Sequence, residues 1–137
     1  MGAAAARVGR GAASGGNLYR RSSFLLDRCG EAIFPDFVHI DEDPHRPGAT
    51  RSSSFDAEGV ATKPAPLIDG GRLVRYLLGS YSARKLGLET TGNAGGVRNL
   101  RVRPGEASQA ELIRQMGRGL VVTEVMGQGV NLVTGDY

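Results

Sequence analysis

The sequence predicts an α+β domain: a mixed, largely antiparallel sheet with a few short helices. Three observations point that way. Glycine supplies 21 of 137 residues and is spread along the whole chain, so positive-φ turns and close backbone approaches recur throughout. Short apolar segments that alternate like strands, such as Val121 to Thr134, are separated by polar stretches rich in glycine and proline. Two short segments carry helix caps at both ends. A hydrophobic content of 40% and a charged content of 23% are those of a globular chain. Its length suits one domain that buries roughly two-thirds of its unfolded surface.

Residues 3–13 suggest a short helix rich in alanine and glycine without a clear cap. Asn17 to Leu26 and Phe34 to Ile40 read as extended, with Pro35 near the edge of the second. Asp41 to Ser54 (DEDPHRPGATRSSS) reads as a polar loop. Gly70-Gly71 leads into RLVRYLL, predicted as a strand. Ser80 is the predicted N-cap of the helix YSARKL, and Gly87 its stop. Val97 to Val102 alternates weakly. Ser108 and Glu111 have the capping-box spacing before LIRQM, which Gly117 ends. Leu120 to Val125 and Val130 to Thr134 are the last predicted strands.

Charge is unevenly placed although the net is only +3. Residues 1–30 hold five arginines against one acid, 31–70 eight acids against three bases, 71–118 nine bases against three acids, and 119–137 two acids. Such alternation favours contacts between segments or subunits over one nucleic-acid stripe. Few aromatics and no tryptophan weaken a stacking platform for single strands. No apolar run is long enough to span a bilayer, and MGAAAARVGRG lacks the apolar core of a secretory signal. The single cysteine, Cys29, excludes an internal disulfide and fits a reducing compartment, so the cytoplasm is the expected location. With no histidine near it in sequence, Cys29 reads as a core thiol.

Four constellations carry chemistry in principle. His39 and His45 flank Asp41, Glu42 and Asp43, donors suited to a divalent ion, but their spacing does not place two imidazoles on one helical face, and a solvated acidic loop explains them as well. Tyr81 and Lys85 form the Y-x-x-x-K of short-chain dehydrogenases, without that fold's glycine-rich turn after a strand. Asp56 and Glu58 lie on one face of a strand or, more simply, in a turn with Gly59 at its positive-φ position. The run Thr90-Thr91-Gly92-Asn93-Ala94-Gly95-Gly96 offers successive backbone N–H groups to an anion or a peptide, or else makes a tight connection.

Longer stretches narrow the reading. GGNLYRRSSFLLD, FDAEGVAT, YSARKLGLETTGNAGG and MGRGLVVTEVMGQGVNLVTGDY resemble, in order, the C-terminal domain of the TldD/PmbA family, also called modulator of DNA gyrase, and within it the PmbA (TldE) branch. The resemblance runs from about Gly15 to Tyr137. It implies part of a larger β-rich C-terminal domain, with an N-terminal domain and the C-terminal end missing from the 137 residues. It also implies a heterodimeric zinc metallopeptidase acting on short or unfolded peptides, whose TldD-type subunit holds the metal through an HExxxH helix and a later cysteine. Laid on this chain, the motif positions fall at Ala6, Arg7 and Gly11, none able to ligate zinc. The resemblance therefore implies a non-catalytic subunit without its own cofactor, zinc in a TldD-type partner, and peptide as substrate. Backbone at Thr91, Gly92, Asn93, Gly127, Gln128 and Gly129 is the candidate peptide-proximal surface, with a tight strand-to-strand connection the equal alternative for Gly127, Gln128 and Gly129; no membrane and no nucleic-acid partner is expected. An active metallopeptidase built on His39, His45 and the acids between, or a DNA-gyrase-associated binding protein using the arginine-rich 71–118 segment, are the competing readings.

Overall fold

In a computed structural model of the chain, residues 11–123 and 131–136 are described. Three helices, α1 (Gly15–Tyr19), α2 (Ser80–Leu86) and α3 (Gln109–Met116), accompany four strands, β1 (Ile40–Glu42), β2 (Ala65–Asp69), β3 (Arg72–Leu73) and β4 (Leu100–Val102). The strands form one sheet in the order β3-β2-β1-β4, and every pairing in it is antiparallel. The α+β expectation holds. Among the described residues, parallel pairing survives only as an isolated bridge between Ser14 and Leu77.

β2 is the strand that its sequence conceals, because KPAPLID carries two prolines. Pro66 sits opposite Asp41, whereas the N–H of Arg103 donates to His39 O and that of Asp43 to Asn99 O. The alternation along β1 therefore turns the Asp41 backbone toward β4, so Asp41 and Pro66 form a non-hydrogen-bonded pair and the missing N–H of proline costs nothing. A register irregularity between Ile40 and Asp41 lets β2 bury the adjacent Leu67 and Ile68, both fully enclosed. These join Leu18, Leu25, Ile40 and Leu73 in the core.

Several predicted strands are something else. Asn17 to Leu26 begins inside α1, whose Asn17 and Leu18 N–H groups donate to Ser14 O, and continues as turns. Gly15 decides this local geometry: a Cβ there would meet Ser82 Oγ at 2.3 Å, so α1 and α2 touch backbone to side chain. Phe34 to Ile40 is mostly turn, and only Ile40 enters a strand. RLVRYLL keeps two strand residues, after which Tyr76, Leu77 and Leu78 turn into the core. Val97 to Val102 is strand only from Leu100. Residues 120–123 are not strand, and 131–134 form a turn in which Asn131 Oδ1 accepts from Val133 and Thr134 N–H. Residues 124–130, which include the rest of both predictions, and residues 3–10 of the predicted first helix lie outside the described residues; Gly11 and Ala12 are helical.

The caps fare better. Ser108 Oγ accepts from Glu111 N and Glu111 returns to Ser108 N, the predicted capping box, with Gly117 at the stop. α2 ends at Gly87 in the left-handed conformation as expected, but its N-cap is Gly79, one residue before Ser80. Cys29, expected in the core, is exposed on a turn between Asp27 and Gly30, both with positive φ.

A buried carboxyl network beside a glycine-walled cleft

The first two residues of the predicted polar loop, Asp41 and Glu42, belong instead to β1, and the second of them is buried. Glu42 is the last residue of β1 and only 3% exposed. Its carboxyl oxygens accept from Asn93 Nδ2 at 2.9 and 3.0 Å, from the Arg98 backbone N–H at 2.6 Å and from the Arg75 guanidinium. Arg75 also reaches Asn93 Oδ1 at 3.4 Å and Pro66 O at 3.1 Å. Thr91 Oγ1 lies 2.8 Å from Asn93 Oδ1 and accepts from Leu78 N at 2.7 Å. One network thus ties the loop 91–98 to the sheet.

Gly92 is buried, with φ of +69°, and a Cβ there would stand 2.8 Å from Ala61 O. Only glycine lets the loop lie this close to the 61–62 backbone. The structure therefore turns Thr91, Gly92 and Asn93 toward the protein's own backbone and side chains. Gly127, Gln128 and Gly129 lie outside the described residues.

Asp56 and Glu58 occupy the turn that the sequence favoured, with Gly59 at φ of +79°. Asp56 accepts three backbone N–H groups, from Glu58 at 2.9 Å, Val60 at 3.0 Å and Ala94 at 2.9 Å. Burial pushes its carboxyl upward, but the Ala94, Val60 and Glu58 bonds, helped by Arg98, outweigh that and hold it below 3.8. Glu58 Oε2 accepts from Ser80 N at 2.6 Å, and its pKa is lowered by the Ser80 hydroxyl and then by this N–H. The FDAEGVAT turn thereby joins the 93–97 loop to the start of α2.

Between α1, α2 and this loop lies a cleft of about 310 Å³, whose walls include Gly15, Gly16, Gly79, Gly95 and Gly96. Tyr19 and Tyr81 meet edge to face at its side, centroids 5.7 Å apart. Lys85 stands 5.7 Å from the Tyr81 centroid, so the two residues of Y-x-x-x-K share a face as a cation–π pair.

The histidines are held apart in separate contacts. His39 Nδ1 is 2.8 Å from Asp69 Oδ1, and His45 Nε2 is 3.1 Å from Thr62 Oγ1. Asp41 pairs with Arg103, which lowers its pKa. Among the described residues no three His, Cys, Asp or Glu side chains come together as a metal site. Of the motif positions, Ala6 and Arg7 lie outside the described residues. Gly11 faces Leu132, whose methyls would lie 3.2 and 3.3 Å from an added Cβ. The residue types at these positions do not fit a zinc site. Several arginines of the 71–118 segment are likewise occupied: Arg72 by Gly30 O, Arg75 by Glu42, Arg98 by Gly96 O and Arg103 by Asp41.

Sequence reasoning missed Glu42, Arg75 and Arg98 as one unit. Their partners lie 33 to 56 positions apart, and no local pattern signals pairing at that separation.

The family model of the PmbA/TldA metallopeptidase C-terminal domain matches residues 5–137. The chain belongs to this family. It is 51% identical over 127 residues to the metalloprotease PmbA of Escherichia coli O157:H7, covering 93% of this chain and 28% of that protein. The chain thus spans less than a third of such PmbA relatives. Among solved structures, a protein from Bacteroides thetaiotaomicron named as a candidate modulator of DNA gyrase matches with a TM-score of 0.88 at 29% identity, over 98% of this chain and 31% of its own. TldE from Thermococcus kodakarensis matches with a TM-score of 0.62 at 28% identity, over 74% of this chain and 25% of its own. The PmbA/TldD resemblance of the four sequence stretches is thereby established. No helix among the described residues is long and apolar enough to cross a membrane.

Proposed function

We propose that this chain acts as a PmbA/TldE-type segment, itself non-catalytic, of a zinc metallopeptidase assembly whose metal is held by a TldD-type subunit. Its role is to form part of the wall of a cavity that takes short or unfolded peptides. One observation carries the reading: a buried polar cluster among the described residues is committed to scaffolding. Glu42 and Asp56, the two buried carboxyls among the described residues, accept from Arg75, Asn93 and four backbone N–H groups between them. A general base must instead reach a substrate proton or its water.

The donor set gives the same support. Alanine has no lone pair to offer a metal, arginine stays cationic, and glycine has no side chain, so Ala6, Arg7 and Gly11 supply nothing where HExxxH would supply two histidines and a glutamate. The names of the relatives, metalloprotease PmbA and TldE, favour a peptidase assembly. The separate contacts of His39 and His45 count against a centre built from them. The internally occupied arginines count against a DNA-binding face, which needs such groups free for phosphates.

Sizing chromatography of the chain with a metal-bearing TldD-type subunit tests this. The expected result is a one-to-one complex in which zinc follows the TldD-type subunit and the chain alone cleaves no peptide. One tightly held zinc per isolated chain, or chelator-sensitive cleavage by the chain alone, would overturn it.

A further inference from the structure

We propose that the apolar face of α3 is a docking surface for a second copy of this chain, with the two helices antiparallel about a twofold axis. The inference goes beyond the reading above, because it concerns how the chain associates with itself.

α3 carries an amphipathic stripe that the fold leaves uncovered. Gln109, Leu112, Ile113 and Met116 recur at the spacing that gathers residues on one face of a helix, whereas Glu111 and Arg114 fall on the opposite face. Leu112, Ile113 and Met116 are 55%, 43% and 39% exposed. A Cβ added at Gly119 would strike Met116 Sδ, so the chain after the helix stop lies against the end of the stripe. That chain brings Leu120 and Val122, both largely exposed. Single apolar residues scattered on a surface are ordinary, but a continuous stripe rimmed by polar groups marks a contact.

The stripe matches itself. Positions 109, 112, 113 and 116 are spaced identically from either end. Under a twofold axis through their middle, Leu112 of one copy meets Ile113 of the other, and Gln109 meets Met116, which is an isologous contact. Antiparallel packing at about 8–10 Å sets each helix N-terminus beside the C-terminus of its partner, so the dipoles attract. The flanking charges obey the same symmetry. Glu106 precedes the helix and Arg118 follows it, both exposed, and the twofold axis brings each acid to the base of the other copy. A segment that complements itself in apolar pattern, dipole and charge fits a second copy of the same chain.

Eight residues make a helix of about 12 Å, so the contact is smaller than a standard stable interface and the dimer dissociates readily. In the single chain the caps hold α3. In the pair it gains the apolar burial from which helices in proteins take most of their stability.

The test is sedimentation velocity on the full chain from about 1 μM to about 1 mM, in reducing buffer so that the exposed Cys29 forms no crosslink. The expected result is a weight-average mass that rises from one chain to two across this range. Ile113→Lys, which sets two cations beside the axis, is expected to weaken association by about tenfold or more, with an unchanged circular dichroism spectrum and melting midpoint. Arg118→Glu is expected to weaken it by about threefold, the size of an exposed ion pair, and Glu106→Arg combined with Arg118→Glu to restore it. A single chain at every concentration, undiminished pairing of Ile113→Lys, or equal loss in the single and double charge variants would each overturn the proposal. A chain that stays single by itself, yet loses binding to a TldD-type subunit on Ile113→Lys, would assign the face to that subunit and overturn it too. Self-association is read without that subunit, so failure of the heteromeric complex removes only the proposed function, and failure to pair removes only this inference.

Discussion

Asp56 shows how one side chain can organise a turn. Its carboxyl accepts three backbone N–H groups while only 3% exposed, so the turn 56–60 and the loop at Ala94 share one anchor. Because the folded group titrates below 3.8, its ionised form is favoured by folding. That contribution is fully present above the unfolded value and is lost as the pH falls through the depressed folded one. Thermal melts from about pH 7 to about pH 2 are expected to show wild-type stability declining on the acid side. Asp56→Asn, less stable at neutral pH because an amide oxygen replaces two acceptors, is expected to lose less on acidification. Parallel acid limbs for the two proteins would refute this account. The neighbouring residues follow the same local rules: Gly59 supplies positive φ where the turn needs it, and this much was legible in FDAEGV.

Among the elements, α3 stands out for having caps without packing. Its capping box is complete, yet every residue from Gln109 to Met116 is exposed, Leu112 and Ile113 among them. Eight residues are too few for a helix to be robust on its own, so its stability depends on the Ser108–Glu111 pair. Ser108→Ala is expected to cost about 1 kcal/mol locally. That is about fivefold faster amide exchange in the last turn of α3, with the global melting midpoint unchanged. A drop in that midpoint would mean that α3 is coupled to the core. The caps of α3 and the stop of α2 were readable because a cap is a contact between residues a few positions apart. β2 was not readable: Pro66 looks like a breaker until its pairing opposite Asp41 of β1 shows that it occupies a strand. The misread strand at Asn17 fails for a related reason, since the helix there depends on Gly15 lying against Ser82 from a different part of the chain.

Across the whole molecule, the Glu42 network joins the sheet, the segment after β3 and the 91–98 loop. Removing the carboxyl by Glu42→Ala would leave Arg75, itself 15% exposed, and the Asn93 amide without their partner. The expected loss is about 3–5 kcal/mol in chemical denaturation, the usual penalty for stranding one half of a buried ion pair. The double replacement Glu42→Leu with Arg75→Met is expected to cost much less, because no charge is then left unpaired. Similar losses for the single and double variants would show that the network acts through shape alone. Leu132 extends this integration to the C-terminal side, where it packs on the core and its carbonyl accepts from Phe24 N–H.

The sequence by itself determined the fold class, the caps of α3 and the stop of α2, the Asp56 turn and the family. Each is carried by composition, by contacts between near neighbours or by long ordered stretches of identity. It also settled that Ala6, Arg7 and Gly11 carry no zinc donors, because residue type alone decides that. Only the tertiary structure decided the strand order, the use of Pro66 inside a strand, the exposure of Cys29 and the burial of Glu42. The cleft belongs to this second group, since its walls come from residues 14–19, 58, 77–82 and 93–97. Such features depend on which backbone groups meet across long separations, and pairing at that range is chosen by the packing of the core rather than by any local pattern.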